Sequence, residues 1–471
     1  MKKLLKNNWH YFALFLVVVV VYSLRLCIPV ISIDTEEYIN TPLETIDYWY
    51  SLGRFSLGFI IELFNLQNLN IYVSNISAFL LFYLGTLIFL STFKFSKKEK
   101  FIFGAIILTS PLFAEQYTFT LQNIEIYLCY FLFMLSFKLI NKYIIENKSI
   151  WWTILAIPLV VLAFGAYQSF CLLFITLAVI YYINNYKEFD NKIRPIIKYI
   201  AIFLISFILC SMIGDTVNSA LGITTNGYLS EKMNWINGNA VNGILYMGYT
   251  GVQALIGLGL DFNLGFAFVV GITFYYIFKN RNKQDKLFLV ALLFLIITPF
   301  LLSIAFGMLT FARAQFSIPF VVAFLLYYFY KNNCVKRFAY VAMIYVVIVQ
   351  ALSTFYLFSI DLRRYNEDVK IVNIVKEVED YENKTIIFVN EGDIQMNFVG
   401  EILGKTFYNW GYDDRDTKAN RAIAGFMNAH GVHYTKPTPE EFDSVMNEIE
   451  KYNEFINLDE KYVVINMNYY E

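Results

Sequence analysis

Residues 11–30 read YFALFLVVVVVYSLRLCIPV, and this stretch decides the fold. Twenty predominantly apolar residues match the length a helix needs to cross the hydrocarbon core of a bilayer. Lys2, Lys3 and Lys6 precede the run, as in a secretory signal. The run is too long for a typical signal core, and no small-residue cleavage site follows it, so it reads as a first membrane anchor. Working outward, ten more segments read as spans: 71–93, 101–113, 124–140, 150–165, 168–184, 198–213, 262–279, 287–306, 316–331 and 338–358. Segment 240–261 is apolar but rich in glycine and reads as re-entrant or interfacial. The whole chain is 58% hydrophobic and 16% charged, more apolar surface than one soluble core of this size can hide.

Charge placement orients the spans. Twenty-one Lys and Arg residues fall in the segments expected inside, against four outside: Arg25, Arg54, Lys232 and Arg313. The N-terminus is thus expected inside, and an odd span count puts 359–471 outside. Heavy use of Ile, Asn, Lys, Phe and Tyr suggests a bacterial chain, so the expected location is the cytoplasmic (inner) membrane. Eleven acidic residues before the tail lie in or beside outer loops, five inside, and the middles of the spans are essentially uncharged. A proton- or ion-coupled carrier needs ionisable groups at mid-depth, so the pattern points to chemistry at the outer face. A net charge of −1 gives no reason to expect a nucleic-acid partner. Cys27, Cys129, Cys171, Cys210 and Cys334 lie in spans or short loops and form no disulfide framework.

From Asp361 the composition becomes that of a soluble domain. Residues 370–378, 417–430 and 439–452 have helical spacing, and 384–390 and 462–467 read as strands. The expected fold class is an α-helical polytopic membrane protein of about eleven spans, residues 1–358, with a small extracytoplasmic α/β domain, 359–471. That domain has no phosphate-binding or dinucleotide fingerprint. His430 and His433, without a cysteine beside them, read as surface histidines rather than metal ligands.

The first outer loop, 31–70, is the most informative. Asp34, Glu36 and Glu37 follow the first span directly, so Asp34 sits just above the bilayer. A carboxylate there can accept a proton from a sugar hydroxyl, and its neighbours can raise its pKa or bind a cation. The alternative is a solvated acidic loop. Thr41-Pro42-Leu43-Glu44 reads as a capping box opening an amphipathic helix, with Leu43, Ile46, Tyr50 and Leu57 on one side. Arg54 follows, a candidate for gripping a phosphate, or else a partner for Glu62 or a headgroup anchor. Arg313 is a second phosphate candidate or a snorkelling anchor. Tyr167-Gln168-Ser169, Glu115-Gln116 and Gln122-Asn123 offer polar groups to a glycan or to a helix turn.

The order of these segments resembles that of the bacterial Gtr-type (GtrII-like) glucosyltransferases of the GT-C superfamily. The resemblance rests on Asp34-Thr-Glu36-Glu37 after span one, Tyr50-Ser-Leu-Gly53-Arg54-Phe55, Tyr167-Gln168-Ser169 at a helix turn and Arg313-Ala-Gln315 heading a late span. It implies a polyprenyl-phosphate-linked sugar such as glucose as donor. The acceptor would be an extracytoplasmic glycan: O-antigen, teichoic acid or another wall polysaccharide. Transfer would invert the anomeric carbon, with Asp34 as base, Glu36 or Glu37 supporting it, and Arg54 and Arg313 stabilising the phosphate leaving group. Glu115, Gln116, Tyr167 and Gln168 would contact acceptor or sugar. Because the acids read Asp-Thr-Glu-Glu rather than an adjacent pair, the base is either Asp34 or Glu37. A divalent cation, Mg or Mn, is used by some GT-C enzymes and not by others, and a small flippase is a potential partner. Two other classes compete: a flippase or transporter of lipid-linked sugars, and a glycan polymerase or ligase using a diphosphate-linked donor.

Overall fold

The computed structural model describes residues 2–32, 34–68, 70–227, 233–257, 263–308, 310–333, 335–390, 417–434 and 437–469; Lys232 and Cys334 lie outside them. The chain opens with α1 (Lys2–Cys27) and three short helices, α2 (Thr35–Asn40), α3 (Pro42–Ser51) and α4 (Phe55–Phe64). There follow α5 (Ile71–Ser91), α6 (Lys97–Leu108), α7 (Pro111–Thr118), α8 (Asn123–Ile144), α9 (Trp151–Ala166), α10 (Ser169–Asn184) and α11 (Arg194–Leu221). Next come α12 (Ala240–Ile256), α13 (Gly265–Asn280), α14 (Lys286–Ile297), α15 (Leu301–Phe306), α16 (Ser317–Lys331) and the 42-residue α17 (Lys336–Glu377).

Among the described residues, six helices are long and apolar enough to cross a membrane: Asn8–Cys27, Ile71–Ser91, Thr120–Ile144, Arg194–Leu221, Lys286–Phe306 and Lys336–Glu377. α4, α9, α10 and α16 are shorter apolar helices. The segment read as a span over 101–113 is broken: α6 ends at Leu108, and α7 restarts at Pro111, whose ring cannot continue a helix ladder. Segment 240–256 is a regular helix, α12, with apolar side chains such as Val241, Ile244 and Leu245 exposed. Between α5, α7 and α8 the core is aromatic: the ring of Phe82 meets those of Phe113, Tyr127 and Tyr130 at 4.7, 5.1 and 5.3 Å.

The boundary expected at residue 358 falls inside α17. The helix runs for roughly 63 Å at 1.5 Å per residue and carries its apolar half into a charged half without a break. Where the two halves meet, Asp361, Arg364 and Asp368 are each at most 1% exposed. Arg25, at the end of α1, is buried with them. Its Nη1 donates to Asp361 Oδ2 at 2.8 Å, and its Nη2 to Ser32 Oγ and the Thr118 carbonyl, both at 2.7 Å. Arg364 donates to Asp361 Oδ1, to Asp368 Oδ2 and, at 2.7 Å, to the Ile31 carbonyl. Arg25, read above as an outer-loop charge, is therefore an internal ion-pair partner.

Beyond α17 the chain forms β1 (Thr385–Val389), α18 (Thr417–Ala429), α19 (Pro439–Asn447), β2 (Ile456–Leu458) and β3 (Tyr462–Asn466). β3 is central, pairing parallel with β1 and antiparallel with β2. β1 and β3 are legible as buried apolar runs; β2, Ile-Asn-Leu, is too short to carry a period. Ile386, Phe388, Val463 and Ile465 face one core with Ile371, Val375, Phe426 and Met427, while Ile387, Val389 and Val464 face Val445 and Tyr452 on the other side. His430 is not a plain surface histidine: it stacks against Phe426, and its Nδ1 lies 2.9 Å from the Phe426 carbonyl. A carbonyl only accepts, so Nδ1 carries the proton of the neutral ring and Nε2 accepts from the Tyr365 hydroxyl at 3.2 Å.

Asp361→Ala leaves two buried guanidiniums short of a counter-charge and is expected to destabilise the protein by roughly 3–5 kcal/mol, read by denaturant unfolding in detergent micelles. A pH effect is expected from His430, whose pKa is lowered by burial, against the opposing hydrogen bond to the Phe426 carbonyl and with Lys376 adding to the shift. The unfolded chain then binds the proton more readily, so this group's contribution to stability is present above the ordinary histidine pKa and is lost as pH falls below it. The unfolding midpoint should drop between about pH 7.5 and 5.5, and His430→Gln should flatten that drop.

Candidate active site

Asp34 adopts left-handed backbone angles, φ 67° and ψ −17°, a region that Asp and Asn tolerate better than other side chains. It opens α2, on which positions three apart share a face. Asp34 and Glu37 accordingly line one cavity. Thr35, Glu36 and Tyr38 are buried outside that lining, so Glu36 is separated from the two acids it was grouped with. It packs under α18 instead.

α3 begins at Pro42 as expected, but the capping box does not form. Thr41 also closes α2, and its hydroxyl donates back to the Glu37 carbonyl at 3.3 Å, which takes it from the α3 amides. The amphipathic helix is likewise two helices, because Gly53, at φ +72°, turns the chain between α3 and α4. Ile46, Tyr50 and Leu57 are buried across that turn, and Leu43 is exposed. The turn is closed by the Gly53 amide donating to Tyr50 O at 2.8 Å and the Arg54 amide to Trp49 O at 2.9 Å. The Tyr50 hydroxyl donates to Glu62 Oε1 at 3.2 Å. Burial and the Glu62 carboxylate push this phenol up to about 12, so it stays a donor.

Arg54 thus heads α4 with its guanidinium 5.0 Å from the centre of the Tyr167 ring. α4 packs on α9, where Gly165 faces the Phe55 ring and Ser56. Tyr167 and Gln168 make the tight α9–α10 turn, and Gln168 Nε2 donates to the Leu52 carbonyl at 3.4 Å. Across the cavity, Arg313 lies in one turn of 3-10 helix, Ala312–Ala314. Its guanidinium lies 4.6 and 4.5 Å from the ring centres of Phe119 and Phe311, and Nη1 is 3.5 Å from Glu115 Oε1.

These segments enclose a cavity of about 570 Å³. Asp34, Glu37, Arg54, Gln122, Tyr167, Gln168 and Arg313 line it, with Trp49, Phe119, Phe207 and Phe306 as apolar walls. Of the residues singled out above, Glu36, Glu115 and Gln116 do not line it: Glu115 backs Arg313, and Gln116 is fully buried. Phe119 and Phe311, which hold Arg313, escape a reading of the sequence, since aromatic residues at helix ends read equally well as a membrane-interface belt. Every lining segment but Phe207 comes from stretches that charge placement assigns to one side of the membrane or their flanks. Among the described residues no three His, Cys, Asp or Glu side chains gather as a metal site. A divalent cation would find at most the Asp34 and Glu37 carboxylates here and would depend on oxygens from a substrate.

The fold and the cavity define a class: helices apolar enough to cross a membrane, with carboxylates and guanidiniums gathered in one pocket at an end of the helices. The chain belongs to the glucosyl transferase GtrII family, whose model matches residues 23–330. That range contains every lining residue named above and stops before α17. A search of curated proteins finds no match. Family membership suggests a glucosyltransferase acting between a sugar donor and an acceptor.

The Gly165 contact yields a test of how the cavity is held. A Cβ there would press on the Phe55 ring and approach Ser56 Oγ to 2.7 Å. Gly165→Val should force α9 from α4 and cost about 1–3 kcal/mol, measured as a fall in the unfolding midpoint. An unchanged midpoint would mean that the two helices are not in close contact.

Proposed function

We propose that this chain transfers a sugar, glucose by its family, from a polyprenyl-phosphate donor to a glycan acceptor at the outer face of the bacterial cytoplasmic membrane. The observation that carries the reading is the joint lining of one cavity by Asp34, Glu37, Arg54 and Arg313. Bringing two carboxylates and two guanidiniums together is what an inverting displacement needs. The acceptor oxygen attacks the anomeric carbon as its proton passes to a carboxylate. The bond from that carbon to the phosphate oxygen breaks, and the electron pair leaves with the lipid phosphate. Negative charge grows on the phosphate through the step, and guanidiniums fixed beforehand meet it without reorganising.

Asp34 is the base in this reading. Glu37, three residues on along the same helical face, orients the acceptor hydroxyl or takes the role itself. Arg54 and Arg313 grip the phosphate, each with the planar fork that suits a tetrahedral oxyanion. Tyr167 and Gln168 bound the sugar, with Gln122 beside them. An acceptor of the wall-polysaccharide or O-antigen type suits the polar half of the cavity, and a flippase would have to deliver the donor to this face. Eleven membrane crossings, with the C-terminal unit outside, are the topology that fits this arrangement.

The test is release and transfer of sugar from a panel of polyprenyl-phosphate sugars by purified protein. Wild type should turn over one donor when acceptor is supplied. Asp34→Asn, folded and inserted, should lose at least about 100-fold in rate. Normal transfer by Asp34→Asn with loss in Glu37→Gln would move the base to Glu37. Movement of lipid-linked sugar between leaflets without acceptor, or turnover of diphosphate donors alone, would replace the reading.

A further inference from the structure

The family match ends at residue 330, which leaves α17 and the β1–β3 unit without a role. We propose that this C-terminal unit is a positioning element of the cavity: it holds residues 31–40 so that Asp34 and Glu37 line it. The inference rests on reading that cavity as a glycosyl-transfer site. Ser32, Arg364 and Gly425 are its positioning residues.

The grip is made on both sides of Asp34. Before it, Arg364 Nη2 donates to the Ile31 carbonyl and Ser32 Oγ to Asp361 Oδ2, both at 2.7 Å. The Ile31 side chain is buried in the C-terminal core with Ile371, Val372 and Phe426. After it, α18 lies on α2 so closely that a Cβ on Gly425 would stand 2.8 Å from the Glu36 carbonyl oxygen. Farther along α2, Asn428 Nδ2 donates to Asn40 Oδ1 at 3.3 Å. Only three residues lie between Ser32 and Glu36, too short a tether for the Asp34 backbone to move far while both ends are held. The grip is also on the side of α2 away from the cavity: Glu36 meets α18, and Asp34 and Glu37 face inward. Among the described residues, this unit holds the back of the helix that carries the carboxylates.

Gly425→Ala is the discriminating variant. Alanine is the better helix former, so α18 itself is not weakened, but the new methyl meets the backbone of α2. Amide exchange over 34–41 should speed up by about tenfold while that of α8 is unchanged. Sugar transfer should lose on the order of tenfold to 100-fold in kcat, with donor KM unmoved because, among the described residues, α18 meets α2 at Glu36 and Asn40, away from Arg54 and Arg313. Ser32→Ala, which removes one hydroxyl from the other grip, should give the same pattern more weakly. Wild-type exchange and kcat in both variants overturn the proposal, as does a rise in donor KM with kcat intact. Faster exchange in a protein whose wild type turns over no donor supports the grip and sinks the transfer reading instead.

Discussion

The buried charges of Arg25, Asp361, Arg364 and Asp368 join the two ends of the sequence, and the geometry of the cavity hangs on that junction. Two cations and two anions cancel, and all four guanidinium Nη groups donate to a carboxylate, a hydroxyl or a carbonyl nearby. Burying such a set gains little over an apolar core, since desolvation offsets most of the attraction. What it supplies is register. An apolar contact can slide by a residue, whereas Asp361 can accept from Arg25, Ser32 and Arg364 in only one arrangement of α1, the loop and α17. The cluster also reaches Thr118 and Thr120, so the α7–α8 junction, which supplies Phe119 and Gln122 to the cavity, is tied to the same point.

From there the cavity is assembled by close approach at glycine. Gly53 turns the chain into Arg54, Gly58 admits the Tyr50 ring, and Gly165 lets α9 lie against Phe55. At Gly58 and Gly165 a side chain would push apart helices that carry cavity residues, and at Gly53, where a Cβ would meet nothing, the positive φ is the constraint. The polar groups themselves sit at helix ends and turns: Asp34 before α2, Arg54 before α4, Tyr167 and Gln168 between α9 and α10, and Arg313 before α16. Apolar helices fix those ends in space while leaving their interiors free of charge.

That division explains what was legible in the sequence. A helix interior in lipid must be apolar, so polar residues stand out against it, and Asp34, Glu37, Arg54, Tyr167, Gln168 and Arg313 could be picked out before any geometry was known. What could not be read was pairing over distance. Arg25 looked like one more outer cation because its partner lies 336 residues away. Glu36 was grouped with Asp34 and Glu37 because three acids within four residues do not reveal which of them a helical turn sends inward. The break expected near 358 was a change of surroundings, not of conformation: residues 359–377 hold no glycine or proline to stop a helix, so α17 continues while its sequence changes from apolar to charged.

The electrostatics of Arg313 show why the aromatic residues matter as much as the charges. Its Glu115 partner is 3.5 Å away, longer than a good charge-assisted bond. Phe119 and Phe311 also bear on the guanidinium, at 4.6 and 4.5 Å from their ring centres, so its position does not rest on that carboxylate alone. In the proposed transfer, a phosphate would meet a cation already aimed and only loosely committed, so binding would displace little. Arg54 likewise lies against a ring, that of Tyr167, at 5.0 Å from its centre. Rings beside each guanidinium and the apolar walls around them lower the local dielectric, which strengthens the attraction for an oxyanion where charge develops.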